Sequence, residues 1–87
     1  MNDKTKGLIA GFELSLGVLE CLKEVNGIPE STIYIGLGSN YELCAKILEA
    51  LTSSQAITVK NHFVTKGPKF QVCIENGNKM LAKLKAA

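Results

Sequence analysis

"IYIGLGSNYELCAKILEAL", residues 33–51, sets two glycines between stretches of different character. On its C-terminal side Cys44, Ile47, Leu48 and Leu51 recur at i, i+3, i+4 and i+7, which is one face of an α-helix. The spacing predicts a helix over residues 40–53. Asn40 is a suitable cap, because its side-chain oxygen can accept an amide proton that a helix start leaves unpaired. On the N-terminal side, "TIYIGL", residues 32–37, supports two readings. Its β-branched residues favour a strand. Pro29 followed by Ser31 or Thr32 as a cap is instead a helix-start pattern. On the helical reading Leu37 ends the first helix on its inner side. Gly38 takes a left-handed turn, where a residue without Cβ meets no steric cost. Gly36 then lies where the two helices cross most closely.

Working outward, residues 5–25 read as a helix. Leu8, Phe12, Leu19 and Leu22 fall at helical spacing, a second stripe runs through Leu14, Val18, Cys21 and Val25, and Glu13, Glu20 and Glu24 mark a narrow polar edge. This apolar arc is wider than one core contact requires. Either the other elements wrap the helix on two sides, or Leu8, Phe12, Leu16, Leu19 and Leu22 form a homodimer seam. Asn26–Gly27 predicts a left-handed cap at its end. Downstream, "QAITVKNHFVT" (residues 55–65) and "KFQVCIE" (residues 69–75) each alternate with period two. With "KGP" as the turn between them, a β-hairpin over residues 56–75 with a basic tip is expected. "NGNKMLAKLKAA" closes the chain as a lysine-rich helix.

An 87-residue chain with 46% hydrophobic and 21% charged residues suits one small α+β domain spanning residues 1–87 and is too apolar for disorder. No apolar run approaches the roughly 20 residues of a membrane span. Glu13 interrupts the apolar stretch after Lys4 and Lys6, so neither a signal peptide nor a membrane partner is expected. Three widely spaced cysteines, Cys21, Cys44 and Cys73, fit neither a disulfide framework nor a zinc site; they read as free buried thiols in a cytoplasmic protein. The net charge of +2 is unevenly spread. Residues 54–87 carry six Lys against Glu75, whereas the first 53 carry four Lys against seven acids. All ten basic residues are Lys.

The order helix, short element, helix, hairpin, helix resembles the winged helix-turn-helix superfamily, and the likeness spans nearly the whole chain. The helix pair around Gly36 and Gly38 carries it most sharply. The tail segment "QVCIENGNKML" is similar to the second wing strand of MarR- and PadR-type regulators, in which a strand runs into Thr-x-x-Gly-x-x-x-Leu. Glu75 or Ile74 stands near the Thr position, and Gly77 and Leu81 match. The resemblance implies a three-helix core with a two- or three-stranded β-wing and a C-terminal helix. It also implies double-stranded DNA as the partner, with the second helix of the pair in the major groove. Carried onto this chain, the DNA-binding residues are Ser39, Asn40, Tyr41, Glu42 and Lys46, with Ala45 and Glu49 on the same face. Lys60, His62, Lys66 and Lys69 of the hairpin would lie on the backbone.

The reading face departs from that pattern, with two Glu against one Lys and no Arg for the bidentate fork on guanine. The alternative is therefore a protein-interaction module that keeps the fold without strong DNA binding, a phage-type adaptor or an inhibitor of anti-CRISPR scale. From the residues alone, Tyr34 and Tyr41 read first as packing residues and His62 as an ordinary exposed one. A single His, a single Asp and no paired carboxylates offer no catalytic triad or metal cluster, so no enzyme, metal or cofactor is expected. "GLGSNYE" lacks the Gly-Lys-Ser/Thr of a phosphate loop. The expectation is a small dimeric transcriptional regulator of viral or phage type.

Overall fold

The computed structural model describes residues 2–86. Along the described chain run α1 (Asp3–Leu22), β1 (Gly27–Pro29), α2 (Glu30–Gly36), α3 (Tyr41–Ser53), β2 (Ile57–Lys60), β3 (Phe63–Lys66) and α4 (Phe70–Ala86). The fold is α+β, with the helices around a small antiparallel sheet ordered β1-β3-β2.

The starts of α1 and α3 and the end of α2 have local causes. Asn2 caps α1 by accepting from the Thr5 amide at 2.8 Å, and Asp3 complements the positive helix end. α1 stops at Leu22, three residues short of the expected end. Asn26 and Gly27 are not in the left-handed region. Gly27 instead opens β1 opposite Thr65, where a Cβ would strike the Phe63 ring and lie 2.9 Å from the Val64 carbonyl oxygen. Pro29 ends this edge strand and caps α2 without a side-chain bond, so Ser31 and Thr32 lie inside the helix rather than at its cap. The stretch 30–36 is thus helical, and its β-branched residues are overridden by the turn that follows. Gly38 (φ 76°) donates to the Ile35 carbonyl, and the Ser39 amide donates to that of Tyr34, each at 3.0 Å. That pair of bonds is a Schellman motif with Gly at its left-handed position. Asn40 caps α3 by accepting from the Leu43 amide at 3.0 Å.

The hairpin is not where the alternation placed it. Its strands are β2 and β3, in register Ile57↔Lys66 to Lys60↔Phe63. Asn61 (φ 53°) and His62 (φ 61°) form the two-residue tip. Two successive left-handed residues are what a type I′ turn requires, and Asn tolerates that region well. "KGP" is instead the junction from β3 into α4. "KFQVCIE", expected as a strand, begins that helix. The reason is a helical stripe, Phe70, Cys73, Ile74, Gly77, Leu81 and Leu84, which turns inward while Val72 stays exposed. The expected hairpin over 56–75 therefore contracts to 57–66. The segment matched to a second wing strand, with Glu75, Gly77 and Leu81, is helix.

The core joins Val18, Leu19 and Leu22 of α1 to Ile33, to the Cys44–Ile47–Leu48–Leu51 stripe of α3, to Ala56, Ile57 and Val64 beneath the sheet, and to Phe70 and Ile74. Gly36, expected at a tight helix crossing, has open space where its Cβ would be. The closer approach is between α1 and α4, where a Cβ on Gly77 would lie 2.9 Å from Leu16 Cδ2, a contact that a small shift of the leucine tip would relieve. Lys85 Nζ, 3.8 Å from the Glu13 carboxylate, spans the same pair of helices.

Candidate nucleic-acid interface

α3 buries Cys44, Ile47, Leu48 and Leu51, so the helical period turns Glu42, Lys46, Glu49 and Ser53 to the opposite side. Ser39, Asn40, Glu42, Ala45, Lys46 and Glu49 are exposed, as an outward face requires, and so is Tyr41, against its first reading as a packing residue. Tyr41 retains 77% of its possible exposure. Asn40 is partly committed, since its side-chain oxygen already accepts from Leu43; its NH2 group and one oxygen lone pair are left to meet a ligand. The outward face carries one positive and two negative groups.

The hairpin tip lies near the start of α2. The His62 carbonyl accepts from the Glu30 amide at 2.8 Å, and His62 Nδ1 stands 3.7 Å from a Glu30 carboxylate oxygen. The imidazole is 90% exposed. Lys60 is exposed at the other side of the tip. Between the tip and the first turns of α2 and α3 lies a cleft of about 480 Å³. Pro29, Glu30, Tyr34, Tyr41, Cys44 and His62 line it. Burial, with the Glu30 carboxylate as a second cause, pushes the Cys44 thiol above its ordinary value, which keeps it neutral.

Lys66 and Lys69, expected at the tip, are at the opposite end of the hairpin. Lys66 Nζ donates to the Lys23 carbonyl at 2.9 Å, at the end of α1, and sits 5.4 Å from the centre of the Phe70 ring. It therefore ties α1 to the β3–α4 junction. The Lys69 amide donates to the Gln55 carbonyl at 2.9 Å, which fixes the start of α4 against the end of α3. The structure brings Tyr41 and His62 to one cleft and separates Lys66 and Lys69 from them. Glu30, Tyr34 and Cys44 in that cleft were not singled out as site residues. Only the pairing of β1 with β3 brings residue 30 to residue 62.

The seam expected along α1 is also divided. Leu16, Leu19 and Leu22 are buried within the chain itself, Leu22 completely, so they have little surface to give a second copy. Leu8 is 47% exposed and Phe12 half-buried. Of the expected buried thiols only Cys44 is buried. Cys21 is exposed, and Cys73 is half-buried with its thiol 3.6 Å from the Ser54 carbonyl oxygen. Among the described residues no cluster of three metal-ligating side chains occurs, and no helix is long and apolar enough to cross a membrane. The chain matches no protein-family model, no curated protein and no solved structure.

Proposed function

We propose that this chain is a winged helix-turn-helix protein that binds duplex DNA as a small transcriptional regulator. The observation that carries this reading is the layout itself. Two helices meet at the Gly38 turn, and the hairpin that follows brings its tip to the same cleft as the start of the second helix. The sheet order β1-β3-β2 closes that hairpin back onto the strand preceding the helix pair. Such a frame presents α3 to a major groove and the tip to the neighbouring backbone. Lys46 reaches from α3 towards bases or phosphates, and Lys60 and His62 meet the backbone as the wing. Lys66 and Lys69 serve the fold and take no part. A two-fold operator would require a dimer, and the exposed N-terminal half of α1 is the part of the expected seam still available to build one.

A mobility shift at low salt, against duplexes of varied sequence, tests this. Lys60→Ala should weaken binding to every duplex and reduce the slope of log affinity against log salt by about 0.9, the share of one neutralised phosphate. Lys46→Ala should weaken binding and relax sequence preference. Glu42 and Glu49 on the outward face, together with the absence of Arg, favour a second reading, in which the same surface holds a protein. That reading leaves every duplex unshifted at low salt.

A further inference from the structure

We propose that the cleft between α2, α3 and the hairpin tip binds a small organic cation, a ligand with an ammonium or quaternary ammonium head. Its volume, about 480 Å³, lies within the roughly 300–1,000 Å³ range of small-molecule sites. The chemistry of its lining selects the class of ligand. Glu30 supplies the one carboxylate, and no Lys lines the cleft. Only about a third of the Glu30 side chain is exposed, so water screens it less than the other surface acids. Its nearest partner, His62 Nδ1, stands at 3.7 Å, too far for a hydrogen bond. Among the described residues no other group donates to this carboxylate, so its acceptor sites can receive a ligand's N–H groups or face a quaternary head.

Tyr34 and Tyr41 also line the cleft, and aromatic rings attract cations at their faces. The Cys44 thiol stays protonated at neutral pH, so it offers a polarizable, uncharged floor and no second anion. An anionic ligand would meet the Glu30 charge with no lysine in the lining to offset it. A metal ion would find too few ligating side chains. A plainer account gives Glu30 to the α2 dipole alone. That role asks only for a carboxylate in the first turn. It does not account for two tyrosines lining the same cleft as that carboxylate.

The site is shallow and preformed, so the expected dissociation constant for a minimal probe is of order 1 mM. The test is titration of the full-length protein with tetramethylammonium chloride, followed by amide and side-chain NMR shifts. Sodium chloride at matched ionic strength and tert-butanol serve as the charge and shape controls. Saturable shifts should centre on Glu30, Tyr34, Tyr41, Ala45 and His62 with tetramethylammonium and not with either control. Glu30→Gln should weaken binding at least tenfold. Tyr41→Ala, at a position too exposed to affect folding, should weaken it severalfold, while Tyr41→Phe keeps it. The proposal is overturned if tetramethylammonium gives no saturable shift, if tert-butanol or sodium chloride reproduces the shifts, or if both Glu30→Gln and Tyr41→Ala leave them unchanged. No DNA enters this titration, so its outcome is independent of the mobility-shift result.

Discussion

α2 and α3 end in the same way with different residues. At the end of α2 the left-handed position belongs to Gly38. At the end of α3 it belongs to Gln55 (φ 66°), whose amide donates to Thr52 while that of Ala56 donates to Leu51, each at 3.0 Å. The bonding is the same, but a Gln there bears a steric cost of about 1–2 kcal/mol that glycine avoids. The second end holds its shape because of what is built on it. The Gln55 carbonyl accepts from Lys69 at the start of α4, and Gly67 donates to the neighbouring Ala56 carbonyl at 2.9 Å. The first end is a local device that its own sequence specifies. The second is imposed by tertiary structure, at the one place where α3, β2, β3 and α4 converge.

If that contrast is right, the most damaging change near either end should be at neither cap. A Cβ at Gly67 would run into the Gln55 carbonyl oxygen and lie 2.9 Å from the Ile57 amide nitrogen, both backbone atoms that cannot swing aside. Gly67→Ala should cost about 2–4 kcal/mol in urea unfolding. A loss under 1 kcal/mol would mean that the junction yields more easily than two opposed backbones should. Gly38→Ala should cost about 1–2 kcal/mol, because it puts a Cβ in the left-handed region where no other element compensates. Gln55→Gly should go the other way and stabilise by about 0.5–1 kcal/mol; if it destabilises, the strain assigned to Gln55 is absent.

A smaller effect checks the floor of the cleft. The Cys44 thiol is raised above its ordinary value of 9.0, so the folded state holds its proton more firmly than the unfolded chain does. The stabilisation this gives is complete below pH 9.0 and is lost as pH rises through the folded value. Urea unfolding above pH 9.0 should therefore fall more steeply for the native sequence than for Cys44→Ala, with parallel curves at neutral pH.

The same contrast explains what could be read from the residues. The helix 40–53, its Asn40 cap and the Gly38 turn are local, and each was legible in spacing and side-chain chemistry. The hairpin was not. Ile57, Val59 and Phe63 keep their two-residue alternation straight through Asn61–His62, and neither tip residue is a glycine. Gly67 and Pro68 then resemble a turn, although Gly67 is there for close backbone approach. Phe70, Val72 and Ile74 alternate too, and in so short a segment this pattern does not separate strand from helix. Exposure of His62 followed from its position, whereas Tyr41, which reads as a packing residue at helical spacing from Cys44 and Leu48, is 77% exposed because it opens α3 beyond the elements that cover that face. The cleft between them did not follow either, because it exists only once residues 27–29 pair with residues 63–65.

The two-residue tip has one more consequence. Side chains along a strand alternate between faces, so the loop acts as a counter: with two residues, Val64 falls inside and Lys60 and Phe63 flank the bend. One extra residue between Asn61 and His62 would have to be absorbed as a wider loop. Otherwise it would rotate β3 by half a period, carrying Val64 into water and Thr65 into the oily interior. The hairpin can therefore lengthen without breaking the domain in two ways, by widening its loop or by adding residues in numbers that keep that parity.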